Sequence, residues 1–262
     1  MSNLTDFIGG SGGGLDPRKM TKVEITTSQD WTVPKAVDDK FFVIVQGAGG
    51  SAGGIVLSNA FSQGGFGGEY KAGILQLSQN SSITVTIGSG GAGVSGNVSG
   101  NAGGDTSFGS YLVARGGSGG AGNITSDSAV VPRKIGISGG IYSVQRTTAD
   151  YSPNYFYYGD NININLWNLL IVNTKAGIPK TAQSNGIVYS GTAYSYIYMT
   201  VAAPGGGASL FSDGGDGVYN SNSVNAGIGA GSGGLLNDSN NNATRTSGNG
   251  GDGKVVIFYE AV

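Results

Sequence analysis

The chain has 262 residues, a net charge of −2, and neither cysteine nor histidine. These absences exclude disulfides, Cys/His zinc sites, and any catalytic triad or base that depends on histidine. Charged residues make up only 11% of the chain, which favours a protein that works inside an assembly. The sequence has no basic patch to hold phosphates, so nucleic acid is not an expected partner.

Glycine is the dominant residue, with 51 of 262 positions, against a usual frequency of about 7%. Only six prolines are present and no G-x-y period runs through the chain, so it is not collagen-like. Its aromatic content of 9% is too high for a disordered linker. The longest glycine-rich stretch is 88–122, and shorter runs lie at 47–54, 64–68, 205–207, 214–217, 227–234 and 248–253.

Strand signals alternate with these runs. Polar and apolar residues alternate over 22–26, the period of a half-buried strand, and no helical period of useful length is found. The predicted strands are 22–26, 40–45, 69–75, 82–87, 107–114 and 254–259, and the last is expected to pair back with the N-terminal strands. We therefore predict an all-β fold: a glycine-rich, antiparallel, jelly-roll-like β-sandwich.

The glycine runs need a structural explanation of their own. A run of ordered glycines has a high entropic cost and persists only where its backbone groups find partners. We predict packed polyglycine-type extended segments with three residues per turn, lying side by side because no side chain separates them. The alternative is a set of ordinary long turns that use glycine for positive φ.

Two glycine motifs match nucleotide-binding spacings. Residues 47–52 fit the dinucleotide fingerprint, with Glu69 near the position of the ribose acid, and 248–254 have Walker A spacing. Both motifs require a following helix. Gly53, Gly54 and the 64–68 run would break a helix after the first motif. The second is followed by a strand, and Val255 replaces its Ser/Thr. The acids around 213–217 are too few for a Ca²⁺ loop. We expect no cofactor, no metal and no nucleotide.

Residues 126–200 differ in composition from their flanks. They hold only seven glycines but nine of the thirteen tyrosines, and we interpret them as a tyrosine-rich β insertion. Aromatic and small polar side chains give adaptable contacts at low entropic cost. The candidate binding residues are Tyr151, Tyr155, Phe156, Tyr157, Tyr158, Trp167, Tyr194, Tyr196 and Tyr198. Alternatively, these residues pack against the sandwich or a sister subunit.

Residues 1–20 form a leader with apolar Phe7 and Ile8 ahead of a glycine run. The leader either lies over its own domain or anchors the protein in a partner subunit, and Phe7 and Ile8 are the candidate assembly anchors. The N-terminus lacks the features of a signal peptide, and the apolar run near Leu169 is too short to span a membrane. We expect synthesis in a cytoplasm and no membrane span.

Several segments form a recognisable pattern, namely 31–34 (WTVP), 42–50 (FVIVQGAGG), 64–70 (GGFGGEY), 83–91 (ITVTIGSGG), 103–106 (GGDT) and 250–257 (GGDGKVVI). This pattern resembles a family of glycine-rich β-sandwich domains found in bacteriophage tail proteins. A related pattern occurs in certain animal receptor tyrosine kinases, but the FIGG leader followed by DPRKMTKVEITTS favours phage. The resemblance covers about 21–122 and 203–262, and not 126–200.

The resemblance implies a role at the tail. The chain is similar in principle to the tail-fibre adhesins of T-even-like phages, in which loops between polyglycine helices contact the host receptor. By that resemblance the receptor-facing loops here would be 55–63, 208–213, 218–226 and 235–246. This chain departs from those adhesins, because it lacks their fibre-attachment domain and carries the insertion. The expected organisation is a leader (1–20), a sandwich (21–125 with 201–262) and the insertion (126–200).

Three functions follow as hypotheses. The first is a non-enzymatic virion tail-fibre or tail-tip protein that binds a protein or glycan on the bacterial surface. The second is a structural adaptor between tail parts. The third is a glycan-degrading tailspike, which needs two carboxylates, and Asp150 and Asp160 are the candidates for that role. Expected partners are other tail proteins and copies of the same chain, most simply as a trimer.

Overall fold

The computed structural model describes residues 20–57, 60–122, 180–181, 187–191, 195–199, 202–203, 206–237 and 242–262. These residues form fourteen strands. Val37–Asp39 form a tight turn with positive φ at Asp38 and Asp39, and the described residues contain no α-helix. Eight strands make two four-stranded antiparallel sheets. The all-β prediction is therefore confirmed.

The first sheet contains the strands β1 (Met20–Ile25), β3 (Lys40–Gln46), β4 (Tyr70–Gln76) and β14 (Lys254–Glu260), in the order β1-β14-β3-β4. The closing strand β14 lies between β1 and β3, with Met20 opposite Glu260 and Phe42 opposite Phe258. This bears out the prediction that the last strand pairs back with the N-terminal strands.

The second sheet contains β2 (Gln29–Thr32), β5 (Ser82–Thr86), β6 (Thr106–Phe108) and β7 (Leu112–Ala114), in the order β2-β5-β6-β7. The prediction of one strand over 107–114 was wrong. Gly109 adopts a φ of +52° and the N–H of Tyr111 donates to the carbonyl of Phe108, so the chain turns back as a hairpin.

The sandwich interior is filled by alternate residues of both sheets. The first sheet contributes Phe41, Val43, Val45, Val255 and Ile257, and the second Ile83, Val85, Phe108 and Ala114, all buried. Trp31 of β2 packs edge-on to Phe41 at 5.8 Å between ring centroids. Such burial and aromatic packing are the main favourable terms for a fold with little charge.

The outer face of the first sheet is also apolar. Phe42, Ile44, Val256 and Phe258 are buried there, and Leu210 and Phe211 pack against them. Successive residues of β3 and β14 point to opposite faces of the sheet, and those on both faces are hydrophobic, as expected for strands covered on both sides. The loop 208–213 forms part of that cover.

Beyond the sandwich, the described part of the chain runs back and forth in nine extended glycine segments. We number them in chain order as g1 (47–54), g2 (63–69), g3 (88–94), g4 (98–105), g5 (115–122), g6 (206–209), g7 (213–217), g8 (227–234) and g9 (247–253). Six of them directly continue the sheets. Segments g9, g1 and g2 extend β14, β3 and β4, and segments g3, g4 and g5 extend β5, β6 and β7.

Segment g1 is the centre of this glycine core. All its residues are buried, and it forms backbone hydrogen bonds with six other segments: g2, g3, g4, g5, g8 and g9. These six also bond to one another in a closed ring, in the order g2, g5, g4, g3, g9, g8 and back to g2. The result is a hexagonal arrangement in which the backbone itself is the packed interior.

The hydrogen bonds of g1 repeat every three residues. The N–H groups of Gly47 and of the residues three and six positions later donate to g2, over 2.7–3.2 Å. The N–H groups of Ala48 and of the residues three and six positions later donate to g4, over 2.9–3.1 Å. A three-residue period is that of an extended polyproline-type helix. The prediction of packed polyglycine segments is confirmed, and ordinary turns do not explain these runs.

The remaining described strands are short. They are β8 (Lys180–Thr181), β9 (Ile187–Gly191), β10 (Ser195–Met199), β11 (Ala202–Ala203), β12 (Val218–Tyr219) and β13 (Leu235–Leu236). β9 pairs with β10 and β8 with β11, each antiparallel, whereas β12 and β13 are parallel. Their position is described with the loop end below.

Candidate binding surface at the loop end

The glycine core ends in a cluster of loops on the side away from the sheets. We call this cluster the loop end, and its described residues are 55–57, 60–61, 94–98, 218–224, 235–237 and 242–246. Single β-bridges join its loops: Ile55 with Arg245, Phe61 with Leu236, and Ser95 with Thr246. The loops therefore form one surface supported by the rigid core, as binding loops on a scaffold do.

Asn237 holds three of these loops together. Its side chain is fully buried, and Nδ2 donates to the carbonyls of Leu57 at 3.3 Å and Ala243 at 2.8 Å. Its Oδ1 accepts a hydrogen bond from Nε of Arg245 at 3.1 Å, and its backbone N–H donates to the carbonyl of Ala60 at 2.9 Å. A buried amide with this many partners specifies one loop arrangement.

A small apolar cluster supports the same loops from below. Ile55, Ala60 and Leu235 are fully buried together, with Val218 packed against them. The backbone N–H of Leu235 donates to Oγ of Ser62 at 3.0 Å. The loop end therefore has a core separate from that of the sandwich.

Exposed large hydrophobic side chains lie at two places in the described residues. Leu57, Val98 and Val224, which are 45%, 47% and 65% exposed, lie at the loop end. Tyr111, Val113 and Val262 are the others, and they belong to the sandwich at or near its opposite end. Between the two ends, the exposed positions of segments g4 and g5 carry mostly small or polar side chains. Leu57, Val98 and Val224 therefore add exposed apolar area to the loops of this end.

The base of the tyrosine-rich insertion adjoins the loop end. Strand β11 contacts β13, and β8 contacts β12. Before the insertion, a Cβ placed on Gly122 would meet the carbonyl of Val98 at 2.2 Å, which places Gly122 beside the 94–98 turn. The described base of the insertion and the core loops thus lie at the same end of the molecule.

The described ends of the chain lie at the opposite end. Met20 pairs with Glu260 at the edge of the sandwich furthest from the glycine core, and Ala36 forms a bridge with Ala261. Met20 and Glu260 therefore lie away from the loop end. The described structure has a polarity, with the loops at one end and these two residues at the other.

The predicted site residues are only partly within the described structure. Phe7, Ile8, Asp150, Tyr151, Tyr155, Phe156, Tyr157, Tyr158, Asp160, Trp167 and Tyr194 lie outside the described residues. Tyr196 and Tyr198 lie in β10, opposite Ser190 and Val188 of β9. Their role in binding stays a prediction.

The predicted loops divide into two groups. The described parts of 55–63, 218–226 and 235–246 meet at the loop end, but 208–213 does not. The N–H of Leu210 donates to Oε1 of the buried Gln46 at 3.1 Å, which places that loop against the first sheet. The 94–98 turn was not among the receptor-facing loops predicted from the sequence. The one sequence feature that marks it is the apolar Val98 between two glycine runs.

The two nucleotide-like motifs are parts of the core and the sheet. Residues 47–52 are extended and buried in g1, and Oε2 of Glu69 accepts a hydrogen bond from the N–H of Arg115 at 3.0 Å. Nζ of Lys254 lies 2.6 Å from Oε2 of Glu24. Hydrogen bonds from Lys22 and Lys254 hold the pKa of Glu24 below its ordinary value.

In the described ranges, no group of three or more acidic, histidine or cysteine side chains is placed to hold a metal ion. Of the helical structure described, nothing is long and apolar enough to cross a membrane.

Comparison with known proteins identifies the family. The model of a glycine-rich domain matches residues 21–260, nearly the whole chain and including the insertion. A comparison with curated proteins finds no match. With its glycine core and two-sheet sandwich, the chain belongs to the glycine-rich domain family.

Proposed function

We propose that this protein is a bacteriophage tail-fibre or tail-tip component that binds the surface of the bacterial host through its loop end, without enzymatic activity. The observation that carries the proposal is the convergence of three core loops, the 94–98 turn and the described base of the insertion on one end of the glycine core. A rigid scaffold that presents variable loops at one end is suited to recognition.

The polarity of the domain supports the same proposal. The chain leaves the described structure before Met20 at the end opposite the loops. A leader attached there, with Phe7 and Ile8 as anchor residues, would hold the domain on other tail proteins with its loops directed outward. Several copies on one tail would increase the overall avidity for a surface that displays repeated receptors.

The aromatic residues of the insertion extend the proposed binding surface. Tyr151, Tyr155, Phe156, Tyr157, Tyr158, Trp167, Tyr194, Tyr196 and Tyr198 are proposed to contact the receptor together with the core loops. Tyrosine and tryptophan supply large contact areas at low entropic cost, and they suit either a protein or a glycan.

The test is binding of the purified, labelled protein to a panel of bacterial strains, together with immunogold labelling of the virion that carries it. We expect label at the tail, binding to the susceptible strains only, and inhibition of phage adsorption by the free protein. Label at the tail without any binding to cells would favour the structural adaptor. Clearing of host polysaccharide by the protein would favour the tailspike instead.

A matched pair of variants locates the binding surface. Val224→Lys places a charge at an exposed position of the loop end, and Ser118→Lys places the same charge at an exposed position of g5. We expect the first variant to lose cell binding and the second to retain it. Equal loss in both, or retention in both, would contradict the assignment of the loop end.

A further inference from the structure

Arg245 is the only charged residue in the described part of the loop end. The side chain is partly buried, and it forms no ion pair with any described residue. The chain as a whole carries few charges and a slight negative excess. A single arginine among the otherwise uncharged described residues of the loop end is therefore a distinctive feature of this surface.

The structure fixes this arginine from two sides. The backbone N–H of Arg245 donates to the carbonyl of Ile55 at 2.9 Å, and Nε donates to Oδ1 of Asn237 at 3.1 Å. Asn237 cannot rotate to present its amino group instead, because Nδ2 already donates to Leu57 and Ala243. Asn237 is thus a positioning residue for the guanidinium group.

The two terminal amino groups of the guanidinium have no hydrogen-bond partner among the described residues. Two adjacent amino groups at the end of a planar, permanently charged side chain match the two oxygens of a carboxylate or phosphate. Because Nε and the backbone are already fixed, less conformational entropy is lost when such a group binds.

We propose that Arg245 is the recognition site for an oxyanion group, a carboxylate or a phosphate, of the surface ligand. The inference rests on the proposed function for the origin of that ligand. The site itself is defined by the pairing of Arg245 with Asn237. The exposed Leu57, Val98 and Val224 would contact the less polar parts of the same ligand.

The site can be tested without cells. The full-length protein is treated with phenylglyoxal, which modifies accessible arginines, and the modification of each arginine is followed by mass spectrometry. Sodium glucuronate supplies a carboxylate and glycerol 3-phosphate a phosphate, and glucose and glycerol are the neutral controls. We expect one or both anions to slow modification of Arg245 and to leave the exposed Arg115 unchanged. Equal modification of Arg245 with and without both anions would overturn the proposal.

Cell binding provides the second readout. Arg245→Gln is expected to weaken binding by about tenfold or more, and Arg115→Gln, which removes the same charge from g5, by less than about twofold. Arg245→Lys keeps the charge but loses the Nε bond, so intermediate binding is expected. If the wild-type protein binds cells and Arg245→Gln binds equally well, the inference fails while the proposed function stands. If the wild type binds no cells, the proposed function fails and the protection experiment decides the inference.

Discussion

A Cβ atom placed on Gly49 would lie 1.9 Å from the carbonyl oxygen of Ala230. The two residues belong to neighbouring segments, g1 and g8, whose backbones are in direct contact. The N–H of Gly49 meanwhile donates to the carbonyl of Gly251 in g9 at 2.8 Å. In this core the absence of a side chain is what allows each backbone to reach its hydrogen-bond partners.

Gly49→Ala is therefore expected to destabilise the domain severely. The added methyl group would meet backbone atoms, which cannot move aside without breaking the ring around g1, and we expect a loss of about 3 kcal/mol or more. The matched control is Gly73→Ala in β4, where the nearest atom to a new Cβ is Cδ2 of Leu112 at 3.8 Å. The control should change the free energy of unfolding by less than about 1 kcal/mol. Comparable losses in chemical denaturation would contradict the role given to g1.

The fold could be predicted from the sequence because its signals are local. Alternation in β1 and continuous β-branched and aromatic residues in β3 and β14 identify strands. In g4 and g5 one set of exposed positions recurs every three residues and carries small or polar side chains, namely Ser99, Ala102, Asp105, Arg115 and Ser118, and Val98 and Asn101 of g4 are exposed as well. That spacing indicates the three-residue turn. The ring around g1 could not be predicted, since glycine segments of similar sequence carry no information about which one pairs with which.

Less of the candidate binding surface at the loop end could be predicted from the sequence. The exposed hydrophobic Val98 and Val224 look like ordinary loop residues in the sequence. The importance of Asn237 arises from contacts with Leu57, 180 positions away in the chain. Loop 208–213 resembles the others in composition, yet Leu210 and Phe211 cover the first sheet because its outer face is apolar. Which loops meet depends on the direction in which each glycine segment runs, and not on the composition of the loops.

The turn before β3 offers a stabilising substitution. Asp38 and Asp39 have φ angles of +55° and +52°, and the N–H of Lys40 donates to the carbonyl of Val37. Two positive φ values in succession are typical of a turn that prefers glycine at its second central position. Asp39→Gly should raise the free energy of unfolding by about 0.5 kcal/mol. Asp30→Gly in the edge strand β2 should lower it, because Oδ1 of Asp30 accepts a hydrogen bond from Thr84. An equal effect of both substitutions would refute this explanation.

The pairing of Glu24 with Lys22 and Lys254 predicts a pH dependence of stability. The pKa of Glu24 is lowered in the folded protein, first by the hydrogen bond from Lys22 and then by that from Lys254. Its contribution is therefore present above the ordinary value of 4.5 and is lost as the pH falls through the lower, folded value. Glu24→Gln should cost up to about 1 kcal/mol at neutral pH, since Glu24 is partly exposed. The free energies of unfolding of the wild type and Glu24→Gln, measured by chemical denaturation, should converge in acid. A constant difference down to acid pH would exclude the ionised Glu24 as its cause.

Asn237→Ala tests the organisation of the loop end. The substitution leaves the carbonyls of Leu57 and Ala243 without their donor and removes the acceptor of Arg245. We expect a loss of about 1–3 kcal/mol and faster hydrogen exchange at 55–57 and 242–246, with the strands of the sandwich unchanged. Asn225→Ala is the control. Its exposed side chain accepts one hydrogen bond, from the N–H of Asn249 at 2.9 Å, and should matter less. Uniformly faster exchange throughout the domain would show that Asn237 supports the whole fold instead.

Deletion of 126–200 tests whether the insertion is separable from the glycine core. Segments g5 and g6, which precede and follow it, both bond to g2, so they lie at most about 10 Å apart. The eight residues that remain between Gly122 and Gly206 could span about 26 Å. We expect the shortened protein to stay folded and monodisperse and to keep slow hydrogen exchange in g1, because none of the hydrogen bonds around g1 involves a deleted residue. Deleting 98–105 instead removes g4 from the ring and should prevent folding. Aggregation of the first variant would show that the insertion covers part of the core, and the sandwich could then not be treated as an independent unit.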